Sequence, residues 1–275
     1  MDLLPFLQYD FMQRALLAAV LVGLAAPSVG IFLVQRRLAL MGDGMGHVAL
    51  TGVALGLLTG WAPVWVALAT AAAGAVTIEL LRDRGRTTSD LALAIMFYGG
   101  IAGGVVLISK APGGSAASLN QYLFGAITTT TSQDLAAFAL LAALILAVTL
   151  GLGRHLFAVA NDEEYARASG MPVLQLNLVL AVLTATTVVV SMRVVGLLLI
   201  SALMVVPVAT AQLVATSFRS ALALSLAIGL GCAVVGVTAS YYTNTPSGGS
   251  IVLTAIALFA ITAIATGVLR RTLTR

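Results

Sequence analysis

The chain has 275 residues, 60% of them hydrophobic and only 9% charged, with a mean hydropathy of +1.07. A soluble domain carries roughly a quarter charged residues, so this composition excludes a water-soluble globule. The net charge of +4 does not point to a nucleic-acid partner, because the basic residues fall in short groups between long apolar runs, as in loops that flank membrane spans.

A spanning helix needs about 20 mostly apolar residues to cross roughly 30 Å of hydrocarbon. The runs of that kind are Phe11–Val34, Leu40–Gly60, Pro63–Leu81, Leu91–Ser109, Leu135–Gly153, Val173–Ser191, Val194–Thr216, Ala221–Tyr242 and Ile251–Leu269. The expected fold is an all-α, polytopic transmembrane bundle, one domain over residues 1–275. It has about nine membrane segments, or eight full spans if the short, glycine-rich second run is a broken one. The first ten residues hold Asp2 and Asp10 and no base, so no cleavable signal peptide is expected.

An outside N-terminus and nine crossings put Arg36, Arg37, Arg82, Arg84, Arg86, Arg154, Arg167, Arg219, Arg270, Arg271 and Arg275 inside. Only Arg14, Lys110 and Arg193 then remain outside. That asymmetry predicts a cytoplasmic C-terminus. The outer segment Lys110–Asp134 has an apolar middle, Leu119–Ile127, suited to a short surface helix. The inner segment Arg154–Met171 is rich in acids, and Asn161 or Asp162 can cap a short helix that ends at Gly170 before Pro172. His155 is expected to end a span and interact with the helix dipole. Glycines four apart, Gly52, Gly56 and Gly60, then Gly99 with Gly103 and Gly100 with Gly104, suit close helix packing in lipid.

The stretch Met41-Gly-Asp-Gly-Met-Gly-His47 carries the most chemistry. Asp43 and His47 are four apart and share a helical face, with Thr51 one turn further. An aspartate in hydrocarbon costs about 2.5–3.5 kcal/mol on insertion scales, and carboxylate plus imidazole suits Mn²⁺, Fe²⁺ or Zn²⁺. One chain supplies too few ligands, whereas two copies across an axis would supply four side chains and two negative charges. The competing reading is a loop at the membrane surface with Asp43 paired to Arg36 or Arg37. Gly42, Gly44 and Gly46 each cost about 1 kcal/mol of helix stability relative to alanine, which leaves open whether the segment is helical or partly unwound around a cavity. Thr51, and further along Ser201 and Thr210 beside a bend at Pro207, could line a pore or serve ordinary helix packing.

Cys232 lies alone in an apolar run, which leaves no disulfide framework and no thiolate metal site. The chain contains no phosphate-binding G-x-x-x-x-G-K-[ST] loop, no G-x-S-x-G and no H-E-x-x-H, so neither nucleotide hydrolysis of that type nor intramembrane proteolysis is indicated. Glu79 is the only other acid within a predicted span, and a proton-coupled carrier would be expected to bury more acids.

The run Arg36-Arg37-Leu-Ala-Leu-Met-Gly42-Asp43-Gly-Met-Gly-His47-Val-Ala-Leu-Thr-Gly52-Val-Ala-Leu-Gly56 resembles the signature of the ABC-3 family, the permeases of zinc- and manganese-type ABC importers. The resemblance continues at Leu123-Phe124-Gly125, at Asp162–Gly170 before Pro172, at Val195-Gly196-Leu-Leu-Leu through Pro207-Val-Ala-Thr210-Ala, and at Tyr242-Thr-Asn-Thr-Pro246-Ser-Gly-Gly-Ser250. It implies a non-catalytic, multi-pass homodimer in a prokaryotic cytoplasmic membrane, surrounded by lipid. Its implied partners are a separate ATP-binding-cassette ATPase and an extracytoplasmic metal-binding protein. A divalent ion is then the substrate, with no permanently bound cofactor. Asp43 and His47 fall on the family's ion-contacting positions, and Asp162, Glu163, Glu164, Arg167 and Gly170 on its ATPase-coupling helix. Ile95-Met-Phe-Tyr-Gly-Gly100 lacks the histidine common in zinc-type members, which counts against zinc and a little toward manganese, while manganese, zinc and iron all accept this ligand set. The alternatives are a self-sufficient secondary metal carrier and a permease for a metal chelate or cofactor.

Overall fold

A computed structural model describes residues 9–85, 89–110, 122–125, 131–197 and 199–273. Their regular structure is helical throughout, with no strand among the described residues. In chain order the helices are α1 (Asp10–Gln35), α2 (Met41–Thr59), α3 (Pro63–Asp83), α4 (Ser89–Ile108), α5 (Ser132–Gly151), α6 (Gly153–Asn161), α7 (Glu163–Ala168), α8 (Val173–Met192), α9 (Ile200–Val214), α10 (Phe218–Thr243) and α11 (Ser247–Leu273). Helices suit a bilayer because each satisfies its own backbone hydrogen bonds.

Every predicted run meets a helix, but not every helix spans. Seven are long and apolar enough to cross a membrane, and eight if Leu135–Gly151 and Gly153–Asn161, bent by 66° at Gly151–Gly153, count as one. Nine spanning helices are not found among the described residues. The run Val194–Thr216 is the one that falls short: its helix, α9, has 15 residues, about 22 Å at 1.5 Å per residue. The preceding turn holds Gly196 at φ 94°, a backbone state no helix accommodates. His155 does not end a span either, because the chain continues past the bend and places it in the first turn of α6. Of the predicted outer surface helix Leu119–Ile127, only a turn at 122–124 is helical among the described residues; Gly125 follows at φ 75°, and the rest lies outside them.

Burial sorts the helices into an inner and an outer set. In the most apolar stretches of α1 and α8, 72% of residues are buried, against 22% in α3 and α11. Around α1 stand α5, α8, α9 and α10, while α2 is held between α3 and α4 and touches α8. The outer set exposes Ile95, Tyr98 and Val105 on α4, Leu140 and Leu144 on α5, and Leu253, Ile261 and Ile264 on α11, a surface that lipid can cover. Glycines bring α2 close to its two outer neighbours. Gly52 and Gly56 meet Ala67, Thr70 and Pro63 of α3, and Gly100, Gly103 and Gly104 meet α2. Gly60 and Gly99 have nothing within 4 Å of an added Cβ and take no part in this packing.

Candidate functional site: the start of α2 and the charged end of the bundle

Helix α1 closes with two backbone bonds, Leu38 N–H to the Leu33 carbonyl (2.8 Å) and Arg37 N–H to the Val34 carbonyl (3.0 Å). This is a Schellman turn, and its left-handed position, where glycine is usual, is filled by Arg37 at φ 59°. The turn delivers the chain into α2, which is regular from Met41 onward. The segment Gly42–Gly46 is therefore helical, not unwound. Its glycines are spent on close approach: a Cβ at Gly42 would lie 2.7 Å from Ser201 Oγ, at Gly44 3.4 Å from Met96, and at Gly46 3.2 Å from Leu197. Packing on three sides offsets the low helix propensity of glycine.

Asp43 stands in the first turn of α2 and is half-buried. It has no ion pair among the described residues. The alternative pairing with Arg36 is not observed, since Arg36 donates instead to Glu163 (2.9 Å) and to Asn177 Oδ1 (2.8 Å). One turn on, His47 is buried with its ring edge-on to Phe97, centroids 4.5 Å apart. Its Nδ1 is buried without a hydrogen-bond partner, a state that normally costs free energy. A ligand that accepts the imidazole lone pair would remove that cost. No group of three or more His, Cys, Asp or Glu is placed to hold a metal ion among the described residues, so one chain contributes a half-site.

The other pore candidates divide. Ser201 is buried beside Gly42 with its Oγ unpartnered, at the level of Asp43. Thr51 donates to the Gly100 carbonyl at 2.8 Å, tying α2 to α4. Thr210 is buried and bonds back to the Val206 carbonyl (2.8 Å), and Pro207 is buried within α9. A cavity of about 300 Å³, lined by Gln35, Phe157, Gln212, Thr216 and Phe218 among others, opens at the far end of α9, away from Asp43.

A second cluster lies where α1 and α3 end. Asp162 caps α7, accepting the Tyr165 N–H at 2.8 Å, and Gly170 closes the helix at φ 79°. Within α7, Glu164, Tyr165 and Arg167 are exposed, whereas Glu163 turns inward. Its carboxylate meets Arg36 (2.9 Å), Arg167 (3.5 Å) and Arg82 (3.7 Å) and accepts from Asn177 Nδ2 (3.4 Å). Arg82 also pairs with buried Glu79 (2.6 Å), and Arg167 with Asp83 (3.1 Å). Burial pushes the Arg36 guanidinium below its ordinary pKa, Arg82 adds to the effect, and Glu163 and Glu79 oppose it. The roles of Arg36, Arg82, Glu79 and Asn177 in this cluster escaped the sequence reading, as did Phe97 against His47. For Arg36, Arg82 and Glu79 the only signal in the sequence was charge near the ends of apolar runs, and Asn177 and Phe97 gave none.

The three remaining motif segments converge on one junction. The Leu197 N–H donates to the Tyr122 carbonyl (2.9 Å), and Gly125 and Gly196 meet backbone to backbone. Gly248 lies against Val195.

The chain is similar to known membrane proteins over nearly its whole length. The profile of the ABC 3 transport family matches residues 8–266. A "Probable metal transport system membrane protein" of Treponema pallidum (strain Nichols) is 35% identical over 257 residues, covering 93% of this chain and 95% of that one. "Manganese import system permease protein ScaB" of Streptococcus gordonii is 33% identical over 253 residues, 92% of this chain and 90% of that protein. Among solved structures, "PsaBC from Streptococcus pneumoniae in complex with Fab" superposes with a TM-score of 0.84 at 34% identity, covering 94% of this chain and 92% of the other.

Proposed function

The chain belongs to the ABC 3 transport family, as a membrane-spanning permease of an ABC-type metal importer, and we propose that its cargo is a divalent ion, Mn²⁺ first. On this reading Asp43 and His47 contact the ion, and two copies of the chain meet so that both half-sites face one path. ATP is hydrolysed by a separate subunit docked on the end that carries α7, and an extracytoplasmic protein delivers the metal. That charged end is cytoplasmic on this reading, as is the C-terminus.

The observation that carries the proposal is the pairing of an aspartate free of ion pairs with a histidine one turn away whose buried Nδ1 has no partner. A carboxylate left in hydrocarbon is costly, and among the described residues no arginine pairs with it. Mn²⁺ supplies positive charge to Asp43 and a Lewis acid to His47. Exchanging water for these ligands gives the ion a station within the membrane. The 32–35% identical relatives with metal-transport names support manganese over a chelate, which would need a wide path with dispensable donors.

The test is radiolabelled Mn²⁺ uptake per permease molecule. Asp43→Asn keeps the shape and removes the charge; His47→Gln keeps polarity and removes the preferred nitrogen ligand. Each should abolish uptake while the amount of protein in the membrane is unchanged. Wild-type uptake in both variants would sink the proposal.

A further inference from the structure

Helix α7 has six residues, far fewer than the roughly 12–15 an isolated helix needs to persist in water. Its position is therefore set by what holds it. Asp162 and Gly170 fix its ends, Ala166 is buried against the bundle, and Glu163 is gripped by side chains from three other elements. Arg36 comes from the end of α1, Arg82 from the end of α3 and Asn177 from α8. The charges in the cluster balance: Arg36, Arg82 and Arg167 against Glu79, Asp83 and Glu163.

Arg36 is the member of this cluster with a second connection. Its side chain is only 7% exposed, and its fork is divided between Glu163 and Asn177. Its backbone caps α1 and enters the Schellman turn, and Met41 N–H then closes onto the Leu38 carbonyl (2.9 Å). Between Arg36 and the first turn of α2 the chain thus has little slack, and Asp43 sits in that turn. A displacement of α7 that carries Glu163 must carry Arg36 with it, because separation would leave a buried guanidinium without its carboxylate.

We infer that Arg36 and Glu163 form the mechanical joint through which movement of α7 reaches the α1–α2 turn and so repositions Asp43 and His47. The inference rests on the reading of α7 as the ATPase-facing helix. Arg36 is a positioning residue in this scheme and does not touch the ion.

The experiment uses the complete complex of permease and ATPase subunits in proteoliposomes, supplied with its metal-binding protein. The readout is the number of Mn²⁺ ions moved per ATP hydrolysed. Arg36→Gln is the cleaner variant, because Glu163 keeps Arg82 and Arg167, whereas Glu163→Gln strands Arg36. The expected result is a drop of tenfold or more in ions per ATP, with ATPase rate and bound ATPase subunit within twofold of wild type. The double variant Arg36→Gln/Glu163→Gln should lose no more than the single, as members of one unit do. Should Arg36→Gln fail to accumulate, Arg36→Lys carries the same test with an intermediate drop, since an ammonium keeps the charge but lacks the rigid fork. An unchanged ratio, losses that multiply in the double variant, or loss of the ATPase subunit from the complex would each overturn the joint. A wild-type complex with no ATP-dependent uptake would remove the underlying function and the joint with it, an outcome distinct from the other three.

Discussion

Gly125 and Gly196 face each other at φ 75° and φ 94°, so closely that a Cβ on Gly125 would lie 2.6 Å from the Val194 carbonyl oxygen and 2.8 Å from the Gly196 nitrogen. The contact joins the turn after 122–124 to the turn that shortens α9, and the next residues reach Leu197, which packs on Gly46 of α2. Backbone contact of this kind locks the junction above the candidate metal residues.

Alanine at either position meets two penalties, a left-handed backbone disfavoured by about 1–2 kcal/mol and a backbone collision that no side-chain rotation relieves. Gly125→Ala and Gly196→Ala should each lower the thermal midpoint of the detergent-solubilised protein by several degrees and reduce its yield. Gly99→Ala, in open space on α4, should be neutral or stabilising by up to about 1 kcal/mol. A thermal-shift series of the three variants checks the contrast, and equal midpoints would contradict it.

Glu163 and Glu164 are adjacent but have different surroundings, so reversing both charges at once would mix two effects. Glu163→Lys places a fourth cation among Arg36, Arg82 and Arg167 and should reduce the folded permease in the membrane. Glu164→Lys alters only an exposed face beside Tyr165. It should leave permease abundance unchanged while weakening recovery of the ATPase subunit on affinity purification. Equal abundance of the two variants would show that the inward pairing of Glu163 matters little.

The side of the membrane can be read with single cysteines, because the native Cys232 is buried and gives little background. Arg84→Cys and Ser169→Cys sit at the charged end and should be shielded from an impermeant thiol reagent in intact cells, then react after permeabilisation. Lys110→Cys and Gly249→Cys should react without permeabilisation. Labelling of Arg84→Cys from outside would invert the proposed orientation.

Thr51 donates across the α2–α4 contact to Gly100, so its hydroxyl is engaged in packing. Thr51→Val should lower stability by about 0.6 kcal/mol, the average for hydrogen bonds between membrane helices, while Mn²⁺ uptake per molecule stays within twofold. Loss of uptake at full stability would return Thr51 to the ion path.

The apolar runs, the four-residue spacing of Asp43 and His47, and the cap and stop of α7 were legible in the sequence, because each depends on residues within a few positions of one another. Helix formation in lipid is imposed by the backbone's own need for hydrogen bonds, and i,i+4 neighbours share a face whatever surrounds them. Only the tertiary structure decided that Gly42–Gly46 is helical, since Ser201, Met96 and Leu197 must approach to favour the bare backbone. It likewise decided that the segment after Val194 makes a short helix, through Gly196 pressed on Gly125. And it kept Arg36 from pairing with Asp43, because Glu163 and Asn177, both far along the chain, claim it. A charge near a helix end has several partners within reach in the sequence, and which one it takes depends on how distant helices stack.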